Sequence, residues 1–199
     1  MSPRTRTASD EEILEAVIRT VSRVGPAKLT LAQVAAEAGL APATLVQRFG
    51  SKRGMLLAVS RYGIEHSDGW FAQARVANPS PLAALVESCV AAARWFDTPE
   101  ALAHHLAFLQ MDLTDSEFLA LAAQASSGIR DGIRALLDEA VAAGEIAVHG
   151  TARLAAAVQA TYNGSLLTWA IHREGTLADW LRRDLETLLA PWRPRRAAG

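Results

Sequence analysis

The chain has 199 residues, half of them hydrophobic, which is enough to bury a core and excludes a wholly disordered protein. Its 20 basic and 21 acidic residues give a net charge of −1, so total charge does not indicate nucleic-acid binding. A single cysteine, Cys89, excludes an internal disulfide and a cysteine-based zinc site. Residues 1–60 carry 8 basic and 5 acidic residues, whereas residues 61–199 carry 12 basic and 16 acidic. This asymmetry fits either two roles on one chain or chance placement.

Sequence features also bear on location. The chain has no long uncharged apolar segment with membrane flanks, and residues 1–7 lack the apolar core of a signal peptide. We therefore expect a cytoplasmic protein without a membrane partner.

Capping boxes mark the start of the first two helices. Residues 9–12 (SDEE) precede apolar residues at helical spacing, and Gly25-Pro26 ends that helix. Residues 30–33 (TLAQ) begin a second, short helix, which Gly39 ends. The front of the chain is thus predicted to be helical from its first motif.

Helix signals continue to the end of the chain. Pro42 begins a third short helix, and Ser51 precedes a long fourth helix that starts at Lys52. Further cap signals stand at positions 80, 98, 114, 150 and 176, with Thr114 the predicted cap of its helix. Because period-two alternation is nearly absent, we predict an all-α fold of about nine helices. Residues 1–60 would form a three-helix domain and residues 61–199 a second helical domain.

The segment 30–49 has the pattern of a helix-turn-helix. Ala35 supplies the small residue needed where the second helix crosses the first, and Gly39 supplies a positive φ where the chain leaves the first helix. Leu40 and Leu45 fill the space between the two helices. In such a unit the second helix enters the major groove and its early residues meet bases. Helix–glycine–helix alone also fits an ordinary helical hairpin in a core.

Residues 29–40 (LTLAQVAAEAGL), 43–45 (ATL) and 49–52 (FGSK) resemble the TetR family of bacterial transcriptional regulators. The resemblance covers about the first 60 residues. It implies a homodimer with an N-terminal DNA-binding domain in residues 1–60. It also implies a divergent domain in residues 61–199 that binds a small molecule and dimerises.

Seven residues are predicted to bind DNA. Gln47 suits adenine, Arg48 suits guanine or phosphate, and the Thr44 hydroxyl suits phosphate or a base. Lys52 stands at a helix N-terminus, where an ammonium adds to the attraction for phosphate. The resemblance implies backbone contacts for Lys52 and Thr44. The predicted DNA-binding residues are Thr30, Pro42, Ala43, Thr44, Gln47, Arg48 and Lys52.

One position departs from the family pattern. The family usually has tyrosine after the Thr-Leu pair, and this chain has Val46. A phosphate-binding hydroxyl is therefore missing, and its contact is expected to move to Arg48, Lys52 or Arg53.

Large apolar and aromatic side chains in the rear domain predict a pocket for a small, largely apolar effector. The candidate lining residues are His66, Trp70, Trp95, His104, His105, Phe108, Met111, Tyr162, Asn163 and Trp169. Ordinary core packing is the alternative for each aromatic residue. Adjacent helical residues such as His104 and His105 point about 100° apart, so we predict no metal site. With no nucleophile–base arrangement, P-loop or dinucleotide motif, we predict neither catalysis nor a cofactor.

The last two helices are predicted to form the dimer. Small residues cover much of the eighth helix, and leucines recur at three- and four-residue steps in the ninth, with Leu185 placed at the interface. Pairing across a two-fold axis would give a four-helix bundle and a palindromic operator. The alternative is that both helices close the chain's own core.

The favoured function is a ligand-released, dimeric repressor of a palindromic double-stranded DNA operator. An activator would use the same DNA contacts. The alternative from another class is a helical small-molecule-binding protein or enzyme without specific operator binding.

Overall fold

The computed structural model describes residues 8–96 and 98–194, and for Asp68 and Trp95 it describes the backbone alone. Residues 1–7 lie outside the described residues. The expectation of a cytoplasmic protein rests partly on this segment.

The described residues form nine α-helices and two short 3-10 segments, so the all-α prediction is confirmed. In chain order the helices are α1 (Asp10–Lys28), α2 (Leu31–Ala38), α3 (Pro42–Phe49), α4 (Lys52–Ala77), α5 (Pro81–Ala92), α6 (Pro99–Thr114), α7 (Ser116–Ala142), α8 (Thr151–His172) and α9 (Leu177–Leu189). The 3-10 segments are Ala93–Phe96 and Ala190–Trp192. Within the described ranges, no helix combines the length and the hydropathy needed to cross a membrane.

Side-chain caps fix several helix starts where the sequence places them. The Ser9 and Thr30 hydroxyls accept from the backbone N–H of Glu12 and Gln33, and both capping boxes are complete. The predicted cap of α7 is wrong. Asp115, not Thr114, accepts from the N–H groups of Glu117 and Phe118, while the Thr114 hydroxyl donates to the carbonyls of Gln110 and Met111 in α6.

The chain breaks its helical path within α1. Gly25 has φ 77° and ψ 160°, a backbone region that is essentially restricted to glycine. Pro26 follows and supplies the fixed φ of a new helical turn, which ends at Lys28. Leu29 is then fully buried, so the break turns the chain from α1 into α2.

Two compact units make up the chain. The first comprises Met1–Glu65 and Glu100–Gln124. Its core joins buried residues of α1 to α4 with Phe118 of α7, and Phe108 and Met111 of α6 pack against that core. This unit differs from the predicted 1–60 domain because α6 and the start of α7 belong to it, which no local sequence pattern indicates.

The second unit comprises His66–Pro99 and Ala125–Gly199. Its core contains buried residues of α5, α7, α8 and α9. The leucine stripe of α9, Leu177, Leu181, Leu185 and Leu189, is buried within the chain, and Leu185 and Leu189 belong to this core. Placing Leu185 at a dimer interface was therefore wrong, and the stripe closes the unit's own core.

The Cys89 thiol lies in the core of the second unit, where burial raises its pKa to about 12. At pH 8 it is almost entirely protonated, and the thiolate is the reactive form. We expect an aromatic disulfide reagent at pH 8 to modify the native chain about a thousandfold more slowly than the urea-unfolded chain. Comparable rates in the two states would contradict the buried position.

Two open glycines offer a matched test of backbone conformation. Gly39 has φ 68°, Gly63 lies within α4, and a Cβ at either would meet no atom within 4 Å. Gly39→Ala should lower the free energy of unfolding by about 1–2 kcal/mol because of the left-handed conformation. Gly63→Ala should raise it by up to about 1 kcal/mol. Urea unfolding followed by circular dichroism measures both, and equal signs would refute the assigned backbone.

Candidate nucleic-acid interface

Backbone hydrogen bonds in the turn between α2 and α3 fix the position of α3 relative to α2. The Gly39 N–H donates to the carbonyls of Ala35 and Ala36, and the Leu40 N–H donates to Ala35 at 2.8 Å. Val34, Ala35 and Leu45 are buried between the helices. With the inner residues fixed in this way, the other side of α3 is left to solvent.

The outer surface of α3 is mostly uncharged. Pro42, Ala43, Val46 and Gln47 are exposed, and Val46 retains 48% of its accessible surface. Thr44 is half-buried. Neither Thr44 nor Gln47 has a side-chain hydrogen bond within the described part of the chain, so both side chains have free polar groups for a partner. We call Ala43, Val46 and Gln47 the reading face, because their i, i+3, i+4 spacing places them on one side of the helix.

Arg48 does not belong to that face. Its Nη1 donates to Asp10 Oδ1 at 2.7 Å and to the Ala8 carbonyl at 2.8 Å. The arginine thereby ties the end of α3 to the beginning of α1. Arg48 is exposed, as expected, but its guanidinium is held by partners within the first unit.

Lys52 and Thr30 also have internal partners. The Lys52 ammonium donates to the Ala27 carbonyl at 3.1 Å, which uses one of its three N–H groups. The Thr30 hydroxyl donates to the Gln33 side chain and accepts from the Gln33 backbone. Lys52 therefore keeps donors for a phosphate, whereas the hydroxyl donor of Thr30 is used in the cap.

Arg53, the other cation at the start of α4, is held by the turn between α6 and α7. Its guanidinium donates to Asp115 at 2.9 Å and to Glu117 at 2.8 Å, and it lies 5.5 Å from the Phe118 ring centroid. Glu117 also accepts from Arg61 at 3.1 Å. Hydrogen bonds from Arg53 lower the pKa of Asp115, which favours the ionised carboxylate. Arg53 would have to break these bonds before it could make the DNA backbone contact that Val46 cannot make.

A second ion cluster joins α1 to α2. Glu37 accepts from Arg19 and Arg23, each at 3.2 Å. The hydrogen bond from Arg19, followed by that from Arg23, lowers the pKa of Glu37. These exposed pairs add modest stability, but they show that much of the front domain's positive charge is balanced within the domain.

His104 of α6 packs on the break in α1. Its Nδ1 lies 2.8 Å from the Ser22 carbonyl. A Cβ on Gly25 would lie 2.9 Å from His104 Cδ2, so glycine leaves the space that the imidazole ring occupies. His104 thus has a packing role in the first unit.

The predicted effector residues divide between the two units. The first unit contains His104, His105, Phe108 and Met111, and the second contains His66, Trp70, Trp95, Tyr162, Asn163 and Trp169. Phe108 packs edge-on against Phe118 with 6.1 Å between ring centroids. Trp169 is buried and its indole N–H donates to the Gly175 carbonyl. The side chain of Trp95 lies outside the described part of the structure.

Burial raises the pKa of the Tyr162 phenol, with a smaller contribution from Cys89. Tyr162 packs against the core of the second unit, and its hydroxyl has no hydrogen-bond partner among the described residues. A cleft of about 480 Å³ in the same unit is lined by Leu82, Val86, Glu87, Glu145, Arg182 and Glu186, among others. None of the predicted effector residues lines that cleft.

The sequence did not predict the hydrogen bonds that hold Arg48 and Arg53. Arg48 and Asp10 are 38 positions apart, and Arg53 and Asp115 are 62 apart, so no local pattern connects them. Charge alone was the available signal, and it does not reveal pairing. The exposed position of Val46 could have been inferred from its place next to buried Leu45 on a helix.

Comparison with known proteins gives the same segment. The family model described as bacterial regulatory proteins, tetR family, matches residues 13–59. The transcriptional regulator BetI of Brucella anthropi, an HTH-type regulator, is 41% identical over 51 residues. That match covers 26% of this chain and 26% of BetI, so the chain spans about a quarter of this curated relative.

Solved structures extend the likeness in fold to most of the chain. A TetR transcription regulator from Haloarcula marismortui has a TM-score of 0.74 at 17% identity and covers 93% of this chain and 98% of its own. A Saccharomonospora viridis structure, described as a transcriptional regulator in complex with choline, has a TM-score of 0.72 at 18% identity and covers 91% and 95%.

The helix-turn-helix between Leu31 and Phe49 lies inside the matched segment, and the nine-helix fold agrees with solved TetR structures. Residues 13–59 thus match the tetR family of bacterial regulatory proteins, and the remainder of the chain is similar to solved TetR structures in fold.

Proposed function

We propose that this chain is a transcriptional repressor that binds a palindromic DNA operator as a homodimer and is released by a small, largely apolar effector. The observation that carries the proposal is the exposed side of α3, where free polar and apolar groups stand on a rigid helix-turn-helix. The family membership of residues 13–59 supports DNA as the partner.

Lys52 supports the orientation of the domain on DNA. It begins α4, where free backbone N–H groups and the helix dipole add to its charge. Two of its N–H donors are left after the bond to Ala27. A phosphate contact here would position the domain, and α3 would then supply the sequence-dependent contacts.

The dimer is proposed to form through the exposed side of α8, with α9 beside it. Small and apolar residues recur along that side at three- and four-residue steps: Ala152, Ala156, Ala160, Gly164, Leu167 and Ile171. Leu167 is 43% exposed and Ile171 78% exposed, which is costly for apolar side chains left in water. A two-fold pairing would bury them and supply the symmetry of a palindromic operator.

The effector is proposed to bind in the second unit. The unpaired hydroxyl of Tyr162 at the edge of an apolar core offers one polar group to orient an apolar molecule. The structural relative from Saccharomonospora viridis was solved with choline, which supports a small-molecule role for this fold. Since α4 contributes residues to both units, a change in its position would reach Lys52.

Selection of bound duplexes from a random pool tests the proposed function. We expect a palindrome with half-site centres about 34–36 Å apart. The selected duplex should bind at least about a thousandfold more tightly than a scrambled one at the same salt concentration. A ratio near one would favour a helical small-molecule-binding protein or enzyme over a regulator.

A charge-removing variant tests the role of Lys52. Lys52→Gln keeps an N–H donor for the Ala27 carbonyl but loses the positive charge. It should weaken binding to all duplexes alike and flatten the plot of log affinity against log salt by about one unit. Arg134→Ala, at an exposed position of α7, is the matched control and should leave the slope unchanged. Equal slopes for Lys52→Gln and the native chain would remove Lys52 from the interface.

Two glycines test the dimer surface. Gly164 in α8 and Gly69 in α4 are both exposed, and a Cβ at either meets no atom within 4 Å of its own chain. Gly164→Arg should therefore fold and shift the sedimenting mass from about twice 21.3 kDa to 21.3 kDa. Gly69→Arg should remain a dimer. A dimeric Gly164→Arg variant with normal operator affinity would place the interface elsewhere.

A further inference from the structure

We propose that the reading face of α3 recognises A·T base pairs, through thymine methyl groups and the adenine edge, and reads no guanine. This inference rests on the proposed function and specifies which operators the chain can bind.

The Arg48 guanidinium is already hydrogen-bonded within the chain and is therefore not free to bind guanine. Bidentate recognition of guanine needs a guanidinium whose N–H groups are free to point at O6 and N7. Arg48 instead donates to a carboxylate, Asp10, and to the Ala8 carbonyl, and its side chain is 27% exposed. Turning it toward a base would leave Asp10 and the Ala8 carbonyl without this donor. No other arginine or lysine lies within α3.

In place of a cation, the reading face presents the methyl groups of Ala43 and Val46. Ala43 and Val46 present methyl groups one helical turn apart, and both are exposed. In the major groove the thymine methyl is the apolar group that such side chains contact, and neither guanine nor cytosine carries one. The valine at position 46 thus supplies a base contact where a phosphate-binding hydroxyl would otherwise stand.

Gln47 follows Val46 directly and lies four residues after Ala43. Its carboxamide has both a donor and an acceptor, which match N7 and N6 of adenine. Because Gln47 has no hydrogen bond within the described chain, no internal contact must break before it reads a base. Methyl groups beside one carboxamide therefore match neighbouring A·T pairs.

The test uses modified bases in the duplex selected from the random pool. We expect A·T pairs at the positions nearest α3. Replacing each thymine there by deoxyuridine, which lacks the methyl group, should lower affinity about fourfold for the contacted positions, the equivalent of one buried methyl group. Where a selected duplex does carry a guanine at one of these positions, its replacement by 7-deazaguanine should leave the affinity unchanged.

Variants of two exposed valines assign the effect to its residue. In Val46→Ala the preference for thymine over deoxyuridine should disappear at one position in each half-site. Val76→Ala is the matched control, since Val76 is 91% exposed in the second unit, and it should keep the full preference. A preference unchanged in Val46→Ala would overturn the assignment of the methyl contact.

The outcomes separate this inference from the proposed function. A specific duplex with G·C pairs nearest α3, sensitive to 7-deazaguanine and indifferent to deoxyuridine, would overturn the inference and leave the regulator intact. Loss of such a G·C preference in Arg48→Gln would show that Arg48 leaves Asp10 to read guanine. Failure to select any specific duplex would overturn the proposed function and the inference together.

Discussion

The positive-φ backbone at Gly25 is the constraint on which the packing of the helix-turn-helix unit depends. It breaks α1, so that Leu29 is buried and α2 begins at Leu31. The carbonyl of Ala27 in the following turn accepts from Lys52 at the start of α4, and His104 of α6 fills the space beside the glycine. A side chain at this position would be strained and would meet the His104 ring, so one residue type sets the place of three elements.

The electrostatics of the first unit follow from this close packing. Arg48 is paired with Asp10, Arg53 with Asp115 and Glu117, and Glu37 with two arginines of α1. These cations hold helices together, and the side of α3 left to solvent is mostly uncharged. Affinity would then come from phosphate contacts such as that of Lys52, while sequence preference would come from methyl groups and one carboxamide.

Sequence patterns predicted what depends on neighbouring residues. The capping boxes at Ser9 and Thr30, the glycine turn at Gly39 and the buried Leu45 all act within a few positions of the chain. Contacts between distant segments were beyond such patterns: the Asp10–Arg48 pair, the place of α6 in the first unit, and the burial of Leu185. A stripe of leucines on a helix has the same sequence pattern whether it packs in the core of its own chain or against a second copy. Only the tertiary structure shows which of the two surfaces it contacts.

The central claim is that α3 meets DNA through its uncharged reading face. Methyl NMR of the chain bound to its selected duplex measures this directly, because Ala43 and Val46 carry methyl groups on that face and Leu45 carries buried ones. The account predicts large shifts for the Ala43 and Val46 methyl resonances relative to a scrambled duplex, with small shifts for Leu45. Specific binding that leaves the Ala43 and Val46 resonances in place would contradict it.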